Sequence, residues 1–156
     1  YPAFSHRCIL RDISSRNFPP VNILIPFETE AHRPVKATGT STSDLLHEAD
    51  ATDASGGTDI YEGLLSALDE LPSESEASQY TTAIVLMTDG RSNSDHQDEF
   101  ESAYKSRGRD LPIFSIMFGD ADPSQLKSLA TLSNAKVFDG RSGDLAAVFR
   151  QVKGFN

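Results

Sequence analysis

The sequence predicts an α/β domain of three layers, in which helices cover both faces of a doubly wound, mostly parallel sheet. Two observations carry this prediction. Residues 83–87 and 112–118 are short, continuously apolar runs, which is the pattern of strands covered on both faces. These runs alternate along the chain with segments whose apolar residues recur at helical spacing, and that alternation is typical of a doubly wound sheet.

Composition places the chain among single soluble domains. It has 156 residues, of which 38% are hydrophobic and 24% charged, enough for one domain with a buried core. No apolar run approaches the roughly 20 residues that span a bilayer, and the N-terminus shows no signal-peptide pattern, although a parent protein could carry a signal or anchor upstream. Cys8 is the only cysteine, which excludes an intrachain disulfide and a cysteine-based zinc site.

The acidic charge limits the classes of partner. The net charge is −9, whereas binding to nucleic acid depends on clustered Lys and Arg. We therefore expect no nucleic-acid partner. An acidic surface permits a divalent cation or a basic partner, and solubility alone also explains it.

The first half of the chain predicts two strands and a short helix. Residues 21–27 form a strand with Val21, Ile23, Ile25 and Phe27 on one face, and Pro26 places its end at a sheet margin or bulge. A short return strand follows at 33–36. Ser43 or Thr42 is expected to cap a short helix through Leu45 and Leu46.

The second half continues the alternation. A helix is predicted from 59 to 71, ended by Pro72, and residues 73–79 are interpreted as a polar connection. The remaining elements follow the strand–helix order: a strand at 83–87, a helix at 97–107, a strand at 112–118, a helix opened by Pro123, a strand at 136–138 and a helix at 145–152. In such sheets ligands bind beyond the carboxyl ends of the strands, so the loops of interest are 28–31, 52–58, 88–95 and 119–122.

Four segments of the chain, taken together with their order and spacing, resemble the von Willebrand factor type A (vWA) family. The sequence Gly56-Gly57-Thr58-Asp59-Ile60 resembles the second metal-site loop of that family, and the strand ending in Thr88-Asp89-Gly90 resembles the third. The strand at 21–27 and the segment 113–122 are similar to the family's second strand and a late strand with its loop. The resemblance covers about residues 20–156 and is closest to bacterial stand-alone or membrane-associated versions. It gives a domain at 21–156 and an N-terminal remnant or substitute segment at 1–20.

The resemblance implies a metal-ion-dependent adhesion site. By this resemblance Thr58 corresponds to the hydroxyl ligand of the second loop and Asp89 to the carboxylate of the third. The ion would be Mg²⁺, or Mn²⁺ or Ca²⁺ in its place. Mg²⁺ takes oxygen ligands and keeps several waters, so an open position could accept an acidic side chain of a protein partner.

The first loop of that site has no counterpart here. The family's Asp-x-Ser-x-Ser motif is absent, and the nearest string, residues 12–16, ends in Arg16. Only four residues separate Arg16 from Val21, which is too few for the helix that must follow the loop. The sequence therefore predicts an incomplete metal site, weak or absent cation binding, and a missing central strand.

A missing central strand would leave two unpaired sheet edges. Three repairs would close this gap: pairing of residues 4–10 into it, a strand exchanged from a second copy, which would give a homodimer, or direct re-pairing of the neighbouring strands. The compartment stays open, with an extracytoplasmic or membrane-associated parent protein as the expectation.

The site residues also have simpler interpretations. The alternative interpretation makes Thr58 only a helix cap and Asp89 only an acceptor of hydrogen bonds from turn amides. Asp120 and Asp122 are interpreted as turn and cap residues. The four histidines, His6, His32, His47 and His96, show no metal-ligand spacing and are interpreted as surface or packing residues.

Three functions follow, and the first is preferred. It is a non-enzymatic vWA-type module that binds a protein partner with help from a divalent cation. The second is a structural or assembly domain with a degenerate metal site. The third is an enzyme of phosphoryl transfer with Asp89 as a nucleophile or a metal-held base. It requires a second carboxylate and an Arg or Lys such as Arg91 beside Asp89, and no phosphate-binding glycine motif supports it.

Overall fold

A computed structural model describes residues 7–12, 19–39, 43–51, 56–92, 95–107, 110–142 and 145–153. Within these residues six strands form one sheet in the order β3-β2-β1-β4-β5-β6. Their bounds are β1 Arg7–Asp12, β2 Val21–Pro26, β3 Val35–Thr38, β4 Thr82–Thr88, β5 Ile113–Met117 and β6 Val137–Asp139. The helices are α1 Ser43–Ala51, α2 Ile60–Asp69, α3 Glu74–Ala77, α4 Gln97–Ser106, α5 Pro123–Leu132 and α6 Leu145–Lys153.

Four of the six strands run in one direction. Strands β4, β5 and β6 are parallel neighbours, and β2 has the same direction because β1 is antiparallel to both β2 and β4. Strand β3 returns antiparallel to β2 at the edge. The predicted α/β fold with a doubly wound sheet is confirmed, and β4, β5 and β6 form its parallel part; the other three of the five described strand pairs are antiparallel.

The N-terminal segment occupies the centre of the sheet. In β1, Cys8 lies opposite Ile25 of β2 on one side and opposite Leu86 of β4 on the other. The structure shows the first of the three repairs: Arg7–Asp12 form a strand that overlaps the predicted segment 4–10. Residues 4–6 lie outside the described part of the chain. The single chain thus fills its own gap without a strand from a second copy.

Alternating residues of the strands build a core on each face. In β4, Ile84 and Leu86 face the larger core with Leu64 of α2, Phe100 of α4 and Leu126 of α5. The opposite face of the sheet carries a smaller core, formed by Ala83, Val85, Phe114, Ile116, Phe118, Phe138 and Val148 of α6. Helices therefore cover both faces, as the apolar runs predicted. No described helix has the length and apolar character to cross a membrane.

The connection after α2 is not the irregular loop that its polar sequence suggested. Residues Glu74–Ala77 form the one-turn helix α3, with Ser73 as its N-cap. The Ser73 hydroxyl donates to Glu76 Oε2 at 2.6 Å, and the Ser73 amide donates to the same atom at 3.3 Å. This is a capping box, in which Ser and Glu three residues apart satisfy the amides of a helix start.

Helix α1 buries none of its residues. It spans Ser43–Ala51, and Leu46 is 62% exposed. The predicted helix is present, whereas Thr42, one of its two candidate caps, lies outside the described residues.

Burial of Tyr61 makes the stability of the fold sensitive to alkaline pH. Tyr61 is 2% exposed, and burial, followed by the charges of Glu101 and Asp59, raises the pKa of its hydroxyl to about 12. The folded state therefore holds this proton more tightly than the unfolded chain, so the related stability is complete below pH 10 and is lost as pH rises from 10 to 12. At ~1.4 kcal/mol per pKa unit, we expect a loss of about 2 to 3 kcal/mol.

Urea unfolding of the wild type and of Tyr61→Phe between pH 8 and 12 measures this effect. The difference between the two proteins isolates Tyr61 from the lysines and from Tyr104, whose pKa burial also raises. Identical pH dependence of the two proteins would contradict the prediction.

Candidate functional site at the carboxyl rim

The loops after β2, β4 and β5 meet at one edge of the sheet, which we call the carboxyl rim. The amide of Asp59, just before α2, donates to the carbonyl of Glu28 after β2 at 2.6 Å. The amide of Asp120, after β5, donates to the carbonyl of Asp89, after β4, at 3.1 Å. The loops predicted to carry the site are therefore neighbours in space.

Glycines allow the loops of the rim to approach one another closely. At Gly56 the φ angle is +107°, and a Cβ atom there would lie 3.1 Å from Glu28 Oε2. At Gly119 φ is +44°, and a Cβ atom would lie 3.1 Å from the carbonyl oxygen of Asp89. Both backbone conformations favour glycine, so each loop can pack directly against an acidic residue of its neighbour.

Asp59 is the most buried carboxylate of the rim. It is 3% exposed and is the N-cap of α2. Its Oδ1 accepts hydrogen bonds from the amides of Tyr61 at 3.0 Å and Glu62 at 3.2 Å, and from the Ser92 hydroxyl at 3.4 Å. The interpretation of Thr58 as the cap is wrong, because the N-cap of α2 is the following residue, Asp59.

The segment containing Ser92 is itself held in place from α5. The Ser92 amide donates to Gln125 Oε1 at 3.0 Å, and Gln125 Nε2 donates back to the Ser92 carbonyl at 2.9 Å. Helix α5 thus fixes the loop after β4 against Asp59.

His96, just before α4, completes a cluster with Asp59 and Glu62. Its Nδ1 lies 2.8 Å from Asp59 Oδ2 and 3.3 Å from Glu62 Oε1. The hydrogen bond with Asp59 is the main cause that raises the pKa of His96 above its usual value. The side chain of His96 is 43% exposed, so it remains a surface residue, but its two contacts were not predicted from the sequence. His32 and His47 are exposed as expected; His6 lies outside the described residues.

Thr58 and Asp89 both lie on the rim. Thr58 directly precedes Asp59, and Asp89 directly follows β4; both residues are half-buried. Their loops are connected through the Ser92–Asp59 hydrogen bond. Their role as a pair of metal ligands stays a prediction.

Asp12, the first residue of the string nearest to the missing motif, lies at the opposite edge. It pairs with Thr82, the first residue of β4, whereas Asp89 follows the last. A seven-residue strand spans about 20 Å, so Asp12 is far from the rim. Because β1 runs antiparallel to β4, this string begins on the wrong side of the sheet, and residues 13–16 lie outside the described part of the chain.

Asp122 acts as a helix cap, as predicted. It is the N-cap of α5, and its Oδ1 accepts from the Ser124 amide at 2.8 Å, the main cause that lowers the pKa of the carboxyl group. Arg91 Nε lies 3.3 Å from Asp122 Oδ2. The arginine that the enzyme hypothesis placed beside Asp89 thus has Asp122 as an ion-pair partner.

A doubly wound sheet with carboxylates and hydroxyls at its carboxyl rim defines an α/β domain whose ligand edge is known from the topology. A family model described as von Willebrand factor type A domain matches residues 24–151, and the chain belongs to this family. Domains of this family are typically non-enzymatic interaction modules that bind a divalent metal. Comparisons with curated proteins and with solved structures found no match.

The match begins inside β2, so β1 lies outside the region that the family model covers. The oxygens of Thr58 and Asp89 suit a hard cation, but in the described part of the chain no first loop joins them at the rim. The residues present fit a full metal-ion-dependent adhesion site only in part.

Proposed function

We propose that this chain is a protein-binding module whose partner docks on the carboxyl rim, with a divalent cation as a weak contributor. One observation carries the proposal: the loops after β2, β4 and β5 and the segment before α2 converge there, so Thr58, Asp59 and Asp89 share a single edge. In doubly wound folds this is the edge at which ligands bind.

The cation in this proposal is Mg²⁺, with Mn²⁺ or Ca²⁺ as substitutes. Thr58 and Asp89 would hold it as oxygen ligands, directly or through water, and the bound ion would attract a carboxylate of the partner. In the described part of the chain no first loop supplies ligands at the rim, so most of the coordination shell would be water. We therefore expect weak binding, with a dissociation constant of about 1 mM or higher.

A structural or assembly domain with a degenerate site is the second candidate. The reversed β1 favours it, since β1 carries Asp12 away from the rim. The two functions differ in one measurable property: only the first predicts weak binding of Mg²⁺ at the rim.

Calorimetric titration with Mg²⁺ and Mn²⁺ tests the cation. We expect weak, saturable heat with the wild type and none with Asp89→Ala. Asp110→Ala is the matched control, because Asp110 is an exposed aspartate that precedes β5 at the opposite edge of the sheet, and this variant should behave like the wild type. No heat with the wild type would favour the assembly domain.

Selection of displayed peptides against the wild-type chain tests the docking edge. We expect selected peptides to contain acidic residues, to bind more tightly with Mg²⁺, and to lose affinity for Thr58→Ala and Asp89→Ala but not for Asp110→Ala. Peptides that bind all four proteins equally would place the docking surface elsewhere and contradict the proposal.

A further inference from the structure

We propose that Asp59, Glu62 and His96 form a site for a divalent transition metal such as Zn²⁺, separate from the Thr58–Asp89 oxygen pair. One ligand atom from each of the three residues lies within 4.8 Å of the other two. Two residues come from the start of α2 and the third from the residue before α4. The site therefore bridges two helices that pack against each other.

The distances between ligand atoms are close to those around a bound metal. His96 Nδ1 is 2.8 Å from Asp59 Oδ2 and 3.3 Å from Glu62 Oε1. With metal–ligand bonds of about 2.0–2.2 Å, neighbouring ligand atoms are about 2.9–3.1 Å apart in an octahedron and about 3.3–3.6 Å apart in a tetrahedron. The two distances from His96 therefore fit a shared ion, and the third, between the Asp59 and Glu62 oxygens, is at most 4.8 Å.

Asp59 is already oriented as a metal ligand should be. Its Oδ1 is held by the amides of Tyr61 and Glu62 and by the Ser92 hydroxyl, while Oδ2 is directed towards His96. Hydrogen bonds to the carboxylate oxygen that does not bind the metal hold the other oxygen in position for coordination, and such bonds increase metal affinity.

The chemistry of the three ligands distinguishes this site from the magnesium pair. Mg²⁺ and Ca²⁺ prefer shells made entirely of oxygen, whereas an imidazole nitrogen combined with carboxylates suits Zn²⁺ and its neighbours in the first transition row. The His96 side chain is 43% exposed and that of Glu62 31%. Open coordination positions therefore face solvent, where water or a side chain of a partner could bind.

Electrostatics also favours a cation. The N-terminus of α2 contributes about half a positive charge, which opposes cation binding. The carboxylates of Asp59 and Glu62 together carry two negative charges, about four times the positive charge of the helix end. The negative charge of Glu99 also acts on His96. The amides of the helix start are directed at Asp59 Oδ1, away from the oxygen that would hold the metal.

Zinc titration of a chain without an affinity tag tests the site, with Co²⁺ absorption as a report on the ligands. We expect one equivalent to bind, and His96→Ala and Glu62→Ala each to weaken binding at least tenfold, since even supporting residues of metal sites contribute 10- to 100-fold. Both side chains are partly exposed, so these variants should fold. His47→Ala, an exposed histidine of α1, is the matched control and should bind as the wild type does.

Variants of the oxygen pair separate the two sites. Thr58→Ala and Asp89→Ala should keep the zinc affinity within about twofold. The proposal is overturned if the wild type binds no zinc, if His96→Ala binds it as tightly as the wild type, or if Asp89→Ala alone abolishes binding. The magnesium titration is independent, so failure here leaves the docking proposal to its own tests.

Discussion

Replacement of Phe100 by alanine is expected to lower the free energy of unfolding by about 3 to 5 kcal/mol, the range for buried phenylalanines. Phe100 has no exposed surface and lies between the rings of Tyr61 and Tyr104, with centroid distances of 6.0 and 5.9 Å. Its loss leaves a cavity between α2 and α4 that the neighbouring rings cannot fill completely. Urea unfolding followed by circular dichroism measures the effect.

Leu46→Ala is the control for Phe100→Ala. Leu46 is also a large apolar residue of a helix, but it is 62% exposed, so we expect a change within about 0.5 kcal/mol. Equal losses in the two variants would show that α4 does not pack on α2 as the structure has it.

The helices and strands could be predicted from the sequence where only one type of element buries the apolar residues of a segment. Ile84 and Leu86 lie in a run that is apolar on both faces, and only a central strand between two helical layers buries both sides of such a run. Likewise Ile60, Leu64 and Leu68 share one face of a helix and are all buried. Burial of apolar area decides these elements locally.

The direction of β1 could not be predicted from its residues. The apolar pattern of a strand is the same when it is read in either direction, and an antiparallel strand satisfies the backbone groups of two neighbours as a parallel one does. What fixes the direction is that Val21 follows only nine residues after Asp12. This connection is short for the crossover that a parallel neighbour requires.

The cluster around Asp59 was missed for a different reason. Asp59 and His96 are 37 residues apart, and no spacing rule relates residues brought together by the packing of two helices. Thr58 and Asp59 are both good helix caps. The structure selects Asp59 because its carboxylate also reaches Ser92 and His96 in the neighbouring loop, a contact that only the folded sheet creates.

Asp59→Ala is therefore expected to have the second largest effect, a loss of about 2.5 to 5 kcal/mol. Removal of a helix cap costs about 1 to 2 kcal/mol, and the hydrogen bonds of a charged group add about 1.5 to 3 kcal/mol. Ser92, which is 5% exposed, would lose an acceptor, and His96 would lose its main partner.

Asp59→Asn separates the two contributions to this loss. An asparagine keeps an oxygen for the amides of α2 and is as good a cap as aspartate, so it should lose only the part that depends on charge. If the cap alone mattered, Asp59→Asn would be as stable as the wild type; if burial of the charge were unfavourable, it would be more stable. We expect an intermediate loss, and in a double-mutant cycle with His96→Ala we expect a favourable coupling, because the histidine and the carboxylate stabilise each other across the two loops.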